Sequence, residues 1–381
     1  MLEFSRLQAF LHQFPHLTLG LVGDLVLDQY LELALDVHEL SLETGLEAYQ
    51  ITTVRNAAGA LGTVLNNLAA LGVGRLIPVT VIGDDGRGFD LRRALASLPV
   101  DLTHVIADPQ RLTPTYTTPL RRSTAGWVTE LNRLDIRDRQ PLSAATTRTV
   151  CERIASVWNQ CDGLIVLDQF VEPNWGIVND GVRARLAELA AADPGKLVYV
   201  DSRAHLARFD FGVLKGNRHE VIAAAHATPG EPPAGQPPAG QPPAGQPLLG
   251  QPLLGQLATG ESMADTAKAA RVALRRLCDR TRRVALCTCG DEGMLVAQPD
   301  GTDRLVPGFR VEGPVDVVGA GDAATSGFVM SLLAGATPVE AAAVGNLVAS
   351  ITVQQLGTTG TASPSQVIQR YHEWAAAIGM R

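Results

Sequence analysis

The sequence has little of what marks membrane, secreted or nucleic-acid-binding proteins. It contains no apolar run of about 18 residues that could cross a bilayer. Residues 1–6 lead into no long apolar segment, so we expect no signal peptide. The five cysteines have no C-x-x-C spacing, which predicts reduced thiols in a cytoplasm. The net charge of −7 predicts no nucleic-acid partner and no membrane partner, so any phosphate ligand needs a local site.

What is present is the composition of a globular α/β protein, with 46% hydrophobic and 19% charged residues. Short apolar runs alternate with helical patterns, as in βαβ units around a parallel sheet. We therefore expect a single domain over residues 1–381. The predicted core strands are Leu17–Gly23, Leu76–Ile82, Gly163–Leu167, Leu197–Val200 and Arg283–Cys287.

Three segments interrupt this alternation. Residues 29–53 and 113–136 alternate polar and apolar residues and are rich in Thr, Tyr and Val, which predicts exposed antiparallel strands added outside the main sheet. Together they would form a small β-sheet lid. Residues 232–256 repeat the unit PPAGQ three times and PLLGQ twice. This low-complexity insertion has no pattern for a packed element and is predicted to be an extended or disordered surface loop.

The clearest chemical signal is a glycine turn followed by a helical run. Gly319, Ala320 and Gly321 would present backbone N–H groups at a helix start, which is an anion site. Asp322 follows at once, where it could take a proton from an attacking hydroxyl. Donors aimed at a moving phosphoryl group beside a carboxylate base are what phosphoryl transfer to an alcohol requires.

Two other interpretations of this turn stay open. Asp322 could simply cap the helix. Residues 319–324 also fit G-x-G-x-x-A, a dinucleotide fingerprint, which would suit a nicotinamide-dependent oxidoreductase. That fingerprint normally lies in a first βα turn with an acidic residue ending the next strand, whereas here Glu340 follows Pro338 in a helical pattern. The motif G-x-x-x-x-G-K-[ST] is absent from the chain.

The order of these motifs resembles the ribokinase-like (PfkB) carbohydrate kinase family, and within it the heptose-phosphate kinase type. The G-A-G-D turn is that family's signature, and the match runs from about residue 17 to 365. The resemblance implies a three-layer α/β fold with a mostly parallel central sheet and a small β-sheet lid. It also implies ATP-dependent phosphorylation of a hydroxyl on a sugar or sugar phosphate, with ATP and Mg²⁺ as cofactors. A homodimer is implied as well, and the unpaired lid edges favour it.

The resemblance assigns further residues to the site. It gives Asp322 and the 319–321 turn the catalytic roles, and Asn217 and Glu220, in N-x-x-E, the positioning of phosphate and magnesium, with Glu220 acting on Mg²⁺ through water. The expected nucleotide contacts are Asn217, Glu220, Thr288, Gly290, Gly293 and Asn346. The expected substrate contacts on the resemblance are Asp28, Gly59 and Thr63. Physical reasoning adds Asp168, which like Asp28 ends a predicted strand where parallel sheets gather ligands, with a capping or loop aspartate as the alternative. It also adds Arg203 as a phosphate contact, with a surface arginine as the alternative.

Some positions depart from the family pattern. Ala60 stands where the family has the second glycine of a pair, and Thr63 stands where it has asparagine. No lysine follows Asp168 as it does in the heptose kinases. These departures leave the sugar open and keep an alternative, a ribokinase-like protein that binds nucleotide or sugar without turnover.

Overall fold

The computed structural model describes residues 2–34, 39–122, 128–227, 263–357 and 359–377. The insertion predicted at 232–256 lies outside this part of the chain. No helix in the described part is long and apolar enough to cross a membrane.

A nine-stranded sheet forms the centre of the fold, in the order β16-β15-β14-β13-β12-β11-β1-β6-β7. The seven strands from β14 to β7 are parallel, and β15 and β16 continue the sheet antiparallel at one edge. Its strands are β1 (Thr18–Gly23), β6 (Arg75–Gly83), β7 (Val105–Asp108), β11 (Gly163–Asp168), β12 (Leu197–Ser202), β13 (Val213–Asn217), β14 (Ala285–Thr288), β15 (Gly293–Ala297) and β16 (Asp303–Pro307).

The central strands are apolar along their whole length because helices cover both faces of the sheet. β1 and β11 are buried almost throughout, as expected of a parallel sheet inside a three-layer fold. The five predicted core strands are all present, each shifted by a few residues at most. β13 was not among them, because its run Val213–Asn217 carries a lysine, a glycine and an asparagine that hide a strand pattern.

Two apolar cores lie on opposite faces of the sheet. The helices packed on one face are α1 (Phe4–Gln13), α2 (Leu61–Ala70), α3 (Gly86–Leu95), α8 (Ala320–Leu333), α9 (Pro338–Thr352) and α10 (Pro364–Ala377). Those on the other are α4 (Ala144–Trp158), α5 (Asp180–Ala192), α6 (Arg218–His226) and α7 (Met263–Thr281). The predicted fold class, a ribokinase-like α/β fold, is confirmed.

A small sheet stands outside the main sheet, as predicted, but it is mixed and not purely antiparallel. β2 and β8 are parallel because the chain between them passes through helices and strands of the main sheet. The order of the small sheet is β10-β8-β2-β5, with β9 paired to β8. A two-stranded ribbon of β3 (Glu39–Leu40) and β4 (Glu47–Ala48) lies in the same part of the chain. The small sheet contains β2 (Leu25–Leu33), β5 (Ile51–Ala60), β8 (Thr115–Arg122), β9 (Val128–Glu130) and β10 (Leu134–Ile136). Its role as a lid stays a prediction.

Candidate functional site

The glycine turn before α8 has the geometry of an anion site. Gly319 is the N-cap residue and adopts the left-handed conformation (φ 77°, ψ 0°), which a glycine reaches without strain. The N–H of Ala323 donates to the Gly319 carbonyl at 2.9 Å, so the N–H groups of Gly321 and Asp322 precede the first intrahelical bond. Asp322 is the third residue of the helix. The turn therefore presents donors and a carboxylate from one short segment.

A buried ion pair lies directly against this turn. The Lys215 Nζ is 2.6 Å from Asp201 Oδ2, and both side chains are buried. A Cβ atom added at Gly321 would lie 3.3 Å from that Nζ, so the ammonium borders the turn. Burial opposes the charge on Lys215, but the attraction of Asp201 raises its pKa overall. Sequence reasoning missed both residues, although Lys215 stands two positions before Asn217 in the motif it identified.

Asp322 has the acid–base properties that a proton acceptor needs near neutral pH. Burial and the negative charge of Asp201 raise its pKa to about 7, against the opposing effects of Lys215 and Arg203. A general base works best when its pKa lies near the operating pH. The cap interpretation does not explain this environment, since an ordinary exposed cap carboxylate has a pKa near 4.

The predicted sugar contacts Asp28 and Gly59 face each other across the small sheet. Asp28 lies on β2 and Gly59 on the adjacent β5, where a Cβ atom at position 59 would be 2.1 Å from Asp28 Oδ2. Only a glycine leaves room for that carboxylate. Burial raises the pKa of Asp28 to about 6, and Arg133 opposes the shift. The pair presents a partly exposed carboxylate beside bare backbone.

Thr63 joins this side of the site to the glycine turn. It is buried in the first turn of α2, and a Cβ atom at Gly319 would lie 3.4 Å from its Cγ2. The residue before α2, Ala60, has φ 53° and ψ −113°, a conformation that is costly for a residue with a side chain. The family glycine at this position would adopt it freely. The alanine keeps the backbone path at a cost in strain.

Asp168 ends β11 but turns its carboxylate inward. Oδ2 accepts a hydrogen bond from Ser202 Oγ at 2.8 Å, and Arg183 Nη1 is 3.8 Å away. Burial and the neighbouring Asp24 raise the pKa of Asp168 to about 7. Its backbone carbonyl accepts from the N–H of Arg203 at 3.0 Å. The Arg203 side chain is exposed, and its charge lowers the pKa of Asp322, so it lies on the site side.

Asn217 and Glu220 form a capping box at the start of α6. The Asn217 Oδ1 accepts from Glu220 N at 3.0 Å, and Glu220 Oε2 accepts from Asn217 N at 2.7 Å. The pKa of Glu220 is raised by burial and by Asp201, while Lys215 opposes the shift. The motif therefore has a local structural role, and Glu220 also shares the electrostatic environment of the ion pair.

The predicted nucleotide contacts fall at the antiparallel edge of the large sheet. Thr288 pairs with Asn217 across β14 and β13, and Gly290 is exposed in the turn that follows. Gly293 pairs with Pro307, whose carbonyl accepts from Asn346 Nδ2 at 3.1 Å. A pocket opens beside Asn346. It is lined by Val306, Pro307, Phe309, Ala343, Asn346, Leu347 and Trp374.

The structure thus brings most predicted residues to one continuous region. Asp28 and Gly59 connect through Thr63 to the 319–322 turn, and the turn connects through Lys215 to Glu220 and Asn217. Thr288 adjoins Asn217, whereas Asn346 and its pocket lie further along the sheet edge. The Asp168 carboxylate is buried and does not face this region. Asp168 is linked to the region only by the hydrogen bond from the Arg203 N–H to its backbone carbonyl and by the hydrogen bond from Ser202 Oγ to its carboxylate.

The dinucleotide interpretation has no structural support. The residues before Gly319 form no strand in the described part of the chain, so the turn is not a βα turn. Glu340, the acidic residue after the fingerprint, caps α9 through Thr337 and pairs with Arg6 at 3.0 Å. It is unavailable for a ribose hydroxyl.

A magnesium site would need few protein ligands here. The described residues contain no group of three or more His, Cys, Asp or Glu side chains that could hold a metal ion. Mg²⁺ usually keeps several waters and binds through substrate phosphates and one or two carboxylates. Glu220, with one oxygen committed to the cap, fits that pattern of indirect binding.

Comparison with known proteins agrees with the fold and the turn. The family described as "pfkB family carbohydrate kinase" matches residues 253–366, a stretch that includes the 319–322 turn and Asn346. This match supports the resemblance to the ribokinase-like (PfkB) carbohydrate kinase family over these residues.

Two curated relatives carry the name Bifunctional protein HldE. The protein from Geobacter metallireducens is 27% identical over 348 residues, and that from Geotalea uraniireducens is 29% identical over 350 residues. Each alignment covers 91% of this chain but only 61% of the relative. The chain therefore spans about three fifths of the length of the curated relatives it matches.

Solved structures with the same fold are more distant in sequence. Arabidopsis thaliana ribokinase complexed with ribose and ATP superposes with a TM-score of 0.59 at 16% identity, covering 93% of this chain and 98% of that one. Escherichia coli phosphofructokinase-2 in complex with fructose-6-phosphate gives 0.62 at 16% identity, covering 94% and 99%. These similarities establish the fold.

Proposed function

We propose that this protein transfers the γ-phosphoryl group of ATP to a hydroxyl of a sugar or sugar phosphate. The observation that carries the proposal is the closeness of Thr63 to the turn bearing Asp322: a Cβ atom added at Gly319 would lie 3.4 Å from Thr63 Cγ2, and Thr63 follows Gly59 by four residues in the chain. A hydroxyl held by Asp28 would thereby lie near a base and near unpaired helix N–H groups. That is the arrangement phosphoryl transfer requires.

In this reaction Asp322 accepts the proton of the attacking hydroxyl, and its raised pKa suits that task. The N–H groups of Gly321 and Asp322, with the Lys215 ammonium, stabilise the charge that develops on the transferring group. Mg²⁺, when bound with ATP, would neutralise phosphate charge. The small sheet of β2, β5, β8, β9 and β10 would act as a lid that excludes water from the sugar.

The nucleotide would lie along the sheet edge. The small pocket beside Asn346 is mostly apolar and is lined by two aromatic side chains, Phe309 and Trp374, which could pack against the face of a purine once the pocket widens to admit it. Thr288, Gly290 and Gly293 lie between this pocket and Asn217. In this arrangement the base and the phosphates occupy opposite ends of one edge.

The similar solved structures leave both a free sugar and a sugar phosphate open as the acceptor. One neighbouring structure holds a free sugar and another a sugar phosphate. The exposed Arg203 on the site side favours a substrate that carries its own phosphate, because a guanidinium matches phosphate geometry. We propose a sugar phosphate as the substrate class, with Arg203 as the contact.

The proposal includes a cytoplasmic location and assembly as a homodimer. The five cysteines are all free, which supports a reducing cytoplasm. Leu40, Leu46 and Val54, around the small sheet, are exposed apolar side chains that support a homodimer. Light scattering at micromolar concentration should give twice the mass of the chain, and a monomer would contradict the dimer.

The test is ATP consumption across a panel of free and phosphorylated sugars, with Asp322→Asn as the inactive variant and Asp210→Asn, an exposed carboxylate, as its control. We expect turnover with at least one sugar phosphate and a loss of at least about 10³-fold in kcat in Asp322→Asn. ATP binding without turnover on any acceptor would instead support the non-catalytic alternative.

A further inference from the structure

Two cysteines lie together at the end of β14, next to the predicted nucleotide contacts. Cys287 and Cys289 project from the same face, and their Sγ atoms are 3.9 Å apart. The Cys289 thiol also lies 3.5 Å from the Cys287 carbonyl oxygen. Cys287 is 0% exposed and Cys289 is 8% exposed. A small solute can therefore reach Cys289 before it reaches Cys287.

The guanidinium of Arg218 faces this pair. Arg218 Nη2 binds Glu292 Oε1 at 2.7 Å, while its buried Nε–H has no acceptor with hydrogen-bond geometry among the described residues. An unpaired buried guanidinium N–H costs free energy unless an anion meets it. The hydrogen bond with Cys287 and the charge of Arg218 lower the pKa of Cys289, whereas the pKa of Cys287 is raised. Arg218 therefore favours the thiolate form of Cys289 over that of Cys287.

We propose that Cys287 and Cys289 form a redox-active dithiol that peroxide closes to an intrachain disulfide, and that this oxidation weakens nucleotide binding at the adjacent turn. The sulfur–sulfur separation, the unequal exposure and the facing guanidinium carry the proposal. A thiol of lowered pKa beside a second cysteine that can resolve its oxidised form is typical of reversible redox sites.

The chemistry needs only hydrogen peroxide as oxidant. The Cys289 thiolate attacks one peroxide oxygen, the O–O bond breaks, and the departing hydroxide takes a proton to become water. The Cys289 sulfenic acid is then attacked by the Cys287 sulfur. An S–S bond forms, the S–O bond breaks, and the hydroxyl leaves as a second water with the Cys287 proton. Two thiols are oxidised by two electrons, and one peroxide is reduced to two waters.

Closing the bond must move the turn between β14 and β15. A disulfide needs a sulfur–sulfur distance near 2.05 Å, so the two sulfurs must approach by about 2 Å. The N–H of Cys289 donates to the Gly293 carbonyl at 2.8 Å, and Gly290 is exposed between them. Thr288, Gly290 and Gly293 would shift together. A ring this small is strained, which favours ready reduction.

The test exposes the full-length reduced protein to hydrogen peroxide, alkylates the remaining thiols and analyses the tryptic fragment 284–304, which holds both cysteines. We expect the fragment from the oxidised protein to carry no alkyl group and to be two hydrogens lighter than the unalkylated dithiol fragment. Dithiothreitol should restore both thiols. Cys151, a partly exposed thiol on α4, is the matched control and should stay alkylated. A fragment 284–304 still doubly alkylated when Cys151 has been oxidised would overturn the proposal.

A second arm measures ATP affinity. We expect peroxide to weaken ATP binding at least about fivefold, dithiothreitol to restore it, and Cys289→Ser to be insensitive to peroxide. Should Cys289→Ser fold poorly, Arg218→Gln keeps both thiols and should slow formation of the disulfide at least about threefold at neutral pH. An unchanged oxidation rate in Arg218→Gln, or unchanged ATP affinity in the oxidised protein, would contradict the mechanism.

Only the second arm rests on the proposed function. If the reduced protein does not bind ATP, the proposed function fails, while the mass of fragment 284–304 still decides whether the disulfide forms.

Discussion

Lys215 and Asp201 form an ion pair of 2.6 Å against the glycine turn, with the ammonium 3.3 Å from where a side chain at Gly321 would begin. The pair joins two adjacent parallel strands, β13 and β12, at their carboxyl ends. Ligands of open α/β sheets gather at this edge. Lys215 is therefore a fixed positive charge beside the proposed transferring phosphate, and Asp201 keeps it charged and in place.

A single and a double variant separate the contribution of this ion pair to stability from its contribution to catalysis. Lys215→Met leaves the Asp201 carboxylate buried without its cation, so we expect a loss of about 3 kcal/mol in the free energy of unfolding. Lys215→Met with Asp201→Asn should recover at least about half of that loss, because no unpaired charge remains. Both variants should lose at least about 100-fold in kcat. Urea denaturation and the ATP assay give the two quantities.

The control for the stability loss in these two variants is the exposed ion pair of Arg271 and Asp303. Arg271→Met should cost less than about 1 kcal/mol, because surface pairs contribute little. Wild-type kcat in the double variant would contradict the role given to Lys215.

The pH dependence of the reaction should report Asp322. A base must be deprotonated, and the pKa of Asp322 is raised to about 7, so kcat/KM for the sugar should rise with pH up to about 7 and then level off. Asp201→Asn removes a negative charge that raises this pKa, so the rise should move to lower pH. The titration of ATP itself is the same in both proteins. A rise at the same pH in both would argue against Asp322 as the titrating group.

The Asp322 carboxyl group should also lower the free energy of unfolding as the pH rises. Its folded pKa lies above the unfolded value near 4, so the native state binds the extra proton and stability falls as pH rises from about 4 to 7. Asp322→Asn removes this effect. We expect the variant to be more stable than wild type at pH 8, by on the order of 1 kcal/mol, and equal to it at pH 4. Denaturation curves at the two pH values test both, and reduced stability at pH 8 would contradict the assignment.

Gly59 should be essential for the Asp28 carboxylate. In Gly59→Ala the new Cβ would lie 2.1 Å from Asp28 Oδ2, so that side chain must move. We expect KM for the sugar to rise at least about tenfold with a much smaller change in KM for ATP, since remote positioning errors of about 1 Å are costly. Gly86→Ala is the matched control, because nothing lies within 4 Å of its Cβ. Equal effects on both substrates would place Asp28 outside the sugar site.

Ala60 should be a site where glycine stabilises the protein. Its φ of 53° with ψ of −113° costs on the order of 1 to 3 kcal/mol for a residue with a side chain. Ala60→Gly removes that strain but increases the entropy of the unfolded chain by up to about 1 kcal/mol. We expect a net gain or no loss in the urea midpoint. Ala57→Gly, on the same strand, has no strain to relieve and should lower the midpoint.

Much of the fold could be predicted from the sequence because parallel strands buried on both faces are apolar throughout. The runs at Leu17–Gly23 and Gly163–Leu167 were recognisable for that reason. β13 was not predicted because it ends at the candidate site, where Lys215 and Asn217 stand in place of apolar core residues. Functional positions break the local pattern that prediction depends on.

The candidate site divides in the same way. The glycine turn and Asp322 are contiguous in the chain, so their helix-start geometry follows from local residues alone. The partnership of Lys215 with Asp201, the fit of Gly59 to Asp28 and the contact of Thr63 with Gly319 each join segments far apart in sequence. No local pattern encodes them. They arise from the order of strands in the sheet.

The sequence by itself determined the class of fold and was enough to propose a phosphate-binding turn and a base, because each depends on periodicity or on a short contiguous motif. Only the tertiary structure decided the electrostatics. It half-buries Asp322 near the charges of Asp201 and Lys215, turns the Asp168 carboxylate inward to Ser202, and brings the charge of Arg218 close enough to lower the pKa of Cys289. Burial and the charges of distant segments set each pKa, and both exist only after the chain has folded.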